Sequence, residues 1–514
     1  MVGWARAAVV YQVCPRSFKD SNGDGVGDLA GILAGLPHIV GLGVDALWIT
    51  PFYASPMADF GYDVADFTAV DPLFGGMDDF DAVVVAAHAS GLKVIVDQVW
   101  GHSSDRHPWF IDSRSSACAD KADWYVWADA KPDGSPPNNW LSVFGGPAWT
   151  WEPRRRQYYL HHFLACQPAL NWRNPAVAEA LFAAGAFWQA RGVDGFRLDA
   201  VDFLLHDPDL RDNPPRPHAV IPARLFGLQQ HRFDMAQPDL PALLERMRAR
   251  FPALMLVGEL SSEPDPLVRA AAATRPGRLS LAYTLGLMKR PFTAAGIRGW
   301  LAEAMEKAGE GGLMWAFSNH DVARVVSRWG DGSPASAKML LALLLALPGG
   351  ICLYQGEELG LPEAEIAFEH LQDPYGKTFY PQFKGRDGCR TPMPWTAEPA
   401  AGFTTGTPWL PIPSEHLSLA IDRQEGAADS VLRFARNMLR FRRQRDSLRA
   451  GALRLIDADP RLVAFERRAG ADRLLCLFNP TAAAVGDWPA WGFGFIEEGD
   501  PAAVMGGEMR VTLP

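Results

Sequence analysis

The chain has 514 residues, 48% hydrophobic and 21% charged, with a formal net charge of −10. That length suits two or three domains, and the composition is that of an ordinary soluble globular protein. The acidic balance argues against a nucleic-acid surface, and the short "RRR" at Arg154–Arg156 reads as a solvated loop. The 18 Trp and 28 Phe suit both a large core and a site that stacks sugar rings. Six dispersed cysteines, Cys14, Cys118, Cys166, Cys352, Cys389 and Cys476, form no C-x-x-C pair, so neither a zinc site nor a disulfide framework is indicated.

The start, "MVGWARAAVVYQVCPRSF", has no long apolar h-region, which predicts a cytoplasmic protein without a secretory signal. The most apolar stretch, Met339–Tyr354, is too short to span a bilayer and is broken by "PGG". It reads as a helix end, a turn and a strand.

Short apolar runs recur between longer helical segments: Ala8–Val13, Asp45–Ile49, Lys93–Val99, Gly195–Val201, Leu254–Leu260, Leu281–Leu287, Met314–Asn319 and Gly350–Gly356. Eight such strands alternating with helices predict an α/β fold, a parallel (β/α)8 barrel, spanning residues 1–102 and 171–449. Near-continuous apolar strands are expected where both faces are buried. Between the third and fourth strands lies a stretch rich in Pro, Gly, Trp and charge. Residues 103–170 read as an inserted subdomain. A helix from Asp429 to about Leu448 closes the barrel, and residues 450–514 alternate like antiparallel strands, giving a C-terminal β-sandwich domain.

Polar residues at the C-terminal ends of barrel strands face the active-site mouth. Strand three ends with Asp97 and is followed by His102. Strand four carries Arg197 and Asp199. Strand five ends "VGEL" with Glu259, and strand seven ends "SNHD" with His320 and Asp321. A single strand acid is usually structural, but three converging from three strands are hard to explain as scaffold. Paired carboxyls at a sugar site imply glycoside chemistry, one ionised to attack and one protonated to donate. Arg197, on the same face as Asp199, would keep it an anion. Glu259 has no cation adjacent in sequence, and desolvation would raise its pKa as a general acid requires.

These residues carry a family resemblance. "GFRLDAV", "VGEL" and "FSNHD" resemble the catalytic motifs of glycoside hydrolase family 13, the α-amylase superfamily. "ADFGYDVADF", "QPALNW", "YQGEELGL" and "GRDGCRTPMPW" resemble its α-glucosidase and oligo-1,6-glucosidase branch. The resemblance covers essentially the whole chain. It implies an exo-acting retaining α-glucosidase with Asp199 as nucleophile, Glu259 as general acid/base and Asp321 as transition-state stabiliser. Arg197, His102 and His320 match residues around the bound glucose. Asp59, Tyr62 and Arg390 match contacts that close the non-reducing end, and Phe144 and Phe163 resemble aromatics lining the pocket. Ala200, directly after the nucleophile, stands where maltose-cleaving members of the branch tend to have Ala or Thr and isomaltose-cleaving ones Val. That implies a preference for α-1,4 bonds in maltose and short oligosaccharides, with transfer of glucose to other hydroxyls as a second outcome. The chain departs from the pattern at Gly101, usually Asn, and Ala169, commonly Asp.

"DSNGDGVGD" places Asp20, Asn22 and Asp24 at positions 1, 3 and 5 of a calcium-type loop, with Gly25 at 6, the Val26 carbonyl at 7 and Asp28 at 9. The EF-hand's bidentate Glu is replaced by Gly31. The resemblance implies one structural Ca²⁺ or Mg²⁺ here. The expected partner is a small oligosaccharide, with no nucleic acid and no membrane, and the chain a monomer or homodimer. Trehalose synthase or sucrose hydrolase activity on the same scaffold stays open as a rival. A catalytically dead scaffold would show a broken triad and a membrane anchor, and the sequence shows neither.

Overall fold

The computed structural model describes residues 3–497, apart from 218–221, 223, 261–264, 287, 289, 310 and 311. Eight strands close into a barrel: β1 (Val9–Val13), β2 (Ala46–Ile49), β3 (Lys93–Gln98), β4 (Gly195–Leu198), β5 (Met255–Glu259), β6 (Leu281–Tyr283), β7 (Leu313–Ala316) and β8 (Gly350–Tyr354). Every neighbouring pair is parallel, and β8 closes on β1 with Val9 opposite Ile351. Among the helices that follow the strands, eight alternate with them in turn: α1 (Leu29–Leu42), α2 (Met77–Ala89), α3 (Pro175–Ala190), α4 (Leu240–Arg250), α5 (Pro266–Ala273), α6 (Ala294–Ala308), α7 (Pro334–Ala346) and α8 (Val431–Gln444).

The eight strands match the apolar runs read from the sequence, for a physical reason. A barrel strand buries one face inward and the other against helices, so it needs no polar alternation. Val10, Trp48, Ile95, Val257, Leu281 and Met314 fill the interior, while Val9, Leu47, Val94, Phe196 and Leu256 pack outward against the helices. The helices start where side chains satisfy their free N–H groups. Asn174 accepts from Ala176 ahead of α3, and Ser333 accepts from Ser336 ahead of α7, each with Pro in the first turn.

Two buried arginines fasten the last elements. Arg442 of α8 donates to the carbonyls of Leu345, Leu347 and Gly349 at 2.7–2.8 Å, gripping the turn that feeds β8. Arg467 donates to Ala346, Leu448 and Gly451, tying the C-terminal sheet to the barrel. That sheet has four antiparallel strands, β9 (Ala452–Leu455), β10 (Val463–Ala469), β11 (Asp472–Phe478) and β12 (Phe493–Glu497). Of the expected sandwich, the described residues form this one sheet, and residues 498–514 lie outside them. Between β3 and α3 a three-stranded sheet (Trp127–Ala128, Gln157–Leu160, Trp149–Glu152) carries the loops that reach the barrel mouth. Among the described residues no helix is long and apolar enough to cross a membrane.

Candidate active site

Strand β4 stops at Leu198, one residue earlier than strand alternation at Arg197 and Asp199 assumed. Ala200 adopts a left-handed backbone (φ +41°), and a short 3₁₀ turn, Val201–Phe203, begins there. Asp199 therefore sits at the strand's edge, anchored by its N–H donating to the Gln98 carbonyl at 3.1 Å. The turn aims its carboxyl across the mouth.

Arg197 is fully buried and makes three ion pairs. Nη1 lies 2.8 Å from Asp97 Oδ1, its register partner on β3, and also meets Asp199 Oδ1. Nη2 meets Glu259 Oε2. Glu259 has no cation adjacent in sequence, yet the fold supplies one. The partner lies 62 residues away in sequence but on the adjacent strand. Burial pushes both Asp199 and Glu259 above the ordinary carboxylate range. Arg197 pulls both back, and their mutual repulsion raises Glu259 further. Two acids on one guanidinium titrate as a unit. Such a pair can hold one proton between them, which is what an acid and a nucleophile side by side require.

Asp321 is held differently. Burial would raise it, but His320, Arg386 and Arg390 outweigh burial and hold it well below the usual carboxylate range. Arg390 Nη2 lies 2.8 Å and Arg386 Nη1 3.2 Å from Asp321 Oδ1. The Asp321 N–H donates to Asn319 Oδ1 at 2.9 Å, and Asn319 in turn donates to the Tyr283 hydroxyl at 2.6 Å, so β6 and β7 aim this loop together.

A cavity of about 700 Å³ opens over these groups. Asp199, Glu259 and Asp321 line it, as do Asp59, Tyr62, His102, Phe144, Phe163 and Ala200. Arg197, His320 and Arg390 stand behind the wall and act through their neighbours: Arg390 Nε donates to the His320 carbonyl at 2.6 Å and its guanidinium lies over the Phe60 ring. His102 Nε2 sits 3.0 Å from the Tyr62 carbonyl, and its ring packs on Phe163 at 5.2 Å. Burial lowers its pKa to about 4, so it is neutral at pH 7.

The sequence reading missed two polar groups. Arg386 reaches Asp59 and Asp373 at 2.8 Å each as well as Asp321. Gln167, fully buried, donates to Asp59 Oδ2 at 3.1 Å. Arg386 lay inside the quoted "GRDGCRTPMPW", only four residues before Arg390, and Gln167 opens "QPALNW". Their positions were visible, but their partners were not. Ala169 pairs with His102 in a short bridge. The outer half of the cavity, lined by Phe203, Phe226, Arg224, Tyr375 and Phe383, comes from three separate loops.

The Asp20–Asp28 loop offers only oxygen donors, which suits a hard cation in type. Its carboxylates are already engaged. Asp20 accepts from the N–H groups of Asn22, Gly23 and Gly25 at 2.8–2.9 Å and from Thr404 Oγ1. Asp28 caps α1 through Gly31 and accepts from Ser21. Asp24 accepts from Val26 N at 2.8 Å. Both Asp20 oxygens and Asp28 Oδ2 accept two hydrogen bonds each, whereas Asp28 Oδ1 and Asp24 Oδ1 accept one and keep a lone pair for a cation. Gly25 (φ +93°) is required here, because a Cβ would stand 2.0 Å from the Thr407 carbonyl oxygen. Among the described residues no three His, Cys, Asp or Glu side chains are gathered as a metal cluster.

The family comparison agrees with this geometry. The alpha amylase catalytic domain matches residues 12–451. A probable alpha-glucosidase of Rhizobium meliloti (strain 1021) is 49% identical, covering 96% of this chain and 94% of its own. An oligo-1,6-glucosidase of Heyndrickxia coagulans is 34% identical, over 93% and 92%. The crystal structure of an alpha-glucosyl transfer enzyme superposes with a TM-score of 0.91 at 52% identity, covering 93% of this chain and 91% of that one. The chain therefore belongs to the α-amylase superfamily, glycoside hydrolase family 13, in its α-glucosidase and oligo-1,6-glucosidase branch.

Proposed function

We propose that this chain is an exo-acting, retaining α-glucosidase that removes terminal α-glucose from maltose and short oligosaccharides, α-1,4 bonds preferred, and passes glucose to acceptor hydroxyls as a second outcome. The observation that carries it is the single guanidinium of Arg197 shared by Asp199 and Glu259 at the floor of the cavity. Two carboxyls on two nitrogens of one fork favour the separation of about 5–5.5 Å used by retaining enzymes over the gap of about 6.5–9.5 Å that admits water in inverting ones.

Asp199 attacks the anomeric carbon while Glu259 gives its proton to the glycosidic oxygen, breaking that bond and leaving a glycosyl ester on Asp199. Glu259, now an anion, takes a proton from water or from an acceptor hydroxyl, whose oxygen displaces Asp199 and restores the α-configuration. Asp321, kept anionic by its arginines, accepts from the sugar's hydroxyls. Asp59 and Arg386, paired at 2.8 Å and both lining the cavity, support exo-action, because such a fixed charged pair can bind the hydroxyls of a terminal sugar. The relatives named alpha-glucosidase and oligo-1,6-glucosidase support hydrolysis, and the alpha-glucosyl transfer enzyme supports transfer. A structural Ca²⁺ or Mg²⁺ on the Asp20–Asp28 loop and a cytoplasmic location belong to the same proposal.

The test is NMR of glucose freshly released from a panel of maltose, isomaltose, sucrose and trehalose. Initial α-anomer from maltose supports the proposal. Initial β-anomer defeats the retaining mechanism, and turnover confined to trehalose or sucrose defeats the substrate.

A further inference from the structure

His320 sits behind the cavity wall, 3% exposed, with its ring stacked on Tyr62 at 5.5 Å and 3°. Both ring nitrogens have polar neighbours. Nδ1 lies 2.6 Å from the side-chain nitrogen of Gln12, a fully buried residue on β1. Nε2 lies 2.7 Å from the Tyr62 hydroxyl and 3.4 Å from Asp321 Oδ2. A neutral imidazole has one N–H, and what the other nitrogen meets decides where it goes.

Asp321 settles that choice. Its carboxylate faces Nε2, and a lone pair aimed at an anion is repelled, so Nε2 carries the hydrogen. Nδ1 must then accept, and Gln12 must present its NH₂ rather than its carbonyl. The directions of the next bonds follow. His320 Nε2–H donates to the Tyr62 oxygen, which leaves the Tyr62 hydrogen free to point at Asp97 Oδ2, 3.4 Å away. Asp97 Oδ2 also accepts from Trp48 at 3.0 Å, and its Oδ1 takes Arg197, the guanidinium shared by Asp199 and Glu259.

We infer that Gln12 is a positioning residue whose amide, donating to Nδ1 opposite Asp321 on Nε2, holds His320 in this tautomer, and through it the direction of a hydrogen-bond chain running from β1 to the catalytic carboxyl pair. Burial holds the His320 pKa at about 3, so the ring has one proton to place throughout the neutral range. Reversing the chain would put the Nε2 lone pair against Asp321, turn the Tyr62 hydroxyl away from Asp97, and leave Asp97 with one donor fewer against Arg197.

The activity readout rests on the glucosidase proposal, but the tautomer is read without substrate. In ¹⁵N–¹H correlation spectra of ring-labelled enzyme, with His320 assigned by its loss in His320→Asn, the wild type should show Nε2 protonated and Nδ1 bare. Gln12→Glu keeps the size and offers only acceptors, so it should move the proton to Nδ1 and lower kcat/KM for maltose by at least about tenfold, chiefly in kcat. Gln12→Leu, which removes the donor without supplying an acceptor, should fall between. A wild type protonated on Nδ1 overturns the inference even if neither variant folds. So does a folded Gln12→Glu whose tautomer moves while kcat/KM stays within twofold. A wild type with the stated tautomer but no glucosidase activity sinks the functional proposal alone.

Discussion

Arg386 Nη2 stands 2.8 Å from Asp59 Oδ1, across 327 residues of sequence. The same guanidinium grips Asp373 and reaches Asp321. One cation thus joins two carboxylates that line the cavity, Asp59 and Asp321, and helps keep Asp321 ionised. Breaking a buried ion pair from one side costs about 3–5 kcal/mol, because the remaining charge is left unpaired. Arg386→Ala leaves three carboxylates facing each other. Both the melting temperature and kcat/KM for maltose should drop, the latter by about 10²-fold or more. Arg386→Lys restores the charge without the fork and should recover stability better than activity. A melting curve and Michaelis kinetics on both variants decide it, and an unchanged KM in Arg386→Ala would remove Arg386 from the substrate end.

Asp199 and Glu259 share Arg197, so each substitution also unloads the other carboxyl. Asp199→Asn cannot form the glycosyl ester, and turnover should fall on the order of 10⁴-fold or more. Glu259→Gln should spare substrates whose leaving group needs no proton: p-nitrophenyl α-glucoside should form the glycosyl-enzyme as a burst and then stall. Equal loss on maltose and on the activated glucoside would count against Glu259 as the acid.

Much of this site was legible because barrel strands announce themselves. Long apolar runs mark β1–β8, and the acids at their ends stand out against them. Asp97, Asp199, Glu259 and Asp321 were found in that way. Pairings across the barrel were not legible. Arg197 was matched to Asp199, two residues off, while its contact with Glu259 needs the β4–β5 register. Arg386 lies in a loop with no periodicity, and its three partners come from three other parts of the chain. The outer cavity wall brings Phe144, Arg224 and Tyr375 together, with Tyr375 4.8 Å from Phe144 and its hydroxyl accepting from Arg224 at 3.1 Å. No local pattern encodes such a meeting of loops.

The Asp20–Asp28 loop lies apart from the cavity and caps α1 through Asp28. A cation bound only by the folded state stabilises by mass action. EDTA treatment should therefore lower the melting temperature while leaving kcat of the still-folded enzyme within about twofold. If metal analysis shows the ion gone and the melting temperature unmoved, the loop's own hydrogen bonds suffice.

Glu357, at the end of β8, is buried with little to compensate it. Burial pushes its carboxyl up to about 8, opposed by the Tyr354 N–H at 3.1 Å. The folded protein thus holds a proton that the unfolded chain releases near pH 4.5. A raised folded-state pKa contributes stability that is complete below the unfolded value and is lost as pH rises through the folded one. Glu357→Gln mimics the protonated form and does not titrate. Its stability relative to wild type should climb from pH 5 to pH 8, by a few kcal/mol at most at about 1.4 kcal/mol per unit, and then level off. Denaturant melts at pH 5, 7 and 9 measure the difference, and a flat difference would show that Glu357 is ionised throughout.

The proposed linkage preference turns on Ala200. It lines the cavity directly after Asp199, beside the place where, on the proposed mechanism, the second sugar docks. A Val there adds two methyl groups. The extra methylene of an α-1,6 bond lets the acceptor ring swing clear of that bulk, whereas an α-1,4-linked ring is attached directly and cannot. Discrimination of this size is worth about 1–3 kcal/mol, or roughly 10–200-fold in kcat/KM. The structure adds a complication. Ala200 sits at φ +41°, a region costly for β-branched residues, so Ala200→Val should also lose stability. The ratio of kcat/KM for maltose to that for isomaltose is the right readout, because the folded fraction cancels. The wild type should favour maltose, and Ala200→Val should lose that preference. Ala200→Gly relieves the backbone and keeps the space, so it should hold the wild-type ratio while melting no lower. If Val leaves the ratio unmoved, or if Gly shifts it as far as Val does, the preference comes from elsewhere in the cavity, and the outer wall of Phe203, Phe226 and Phe383 is where to look.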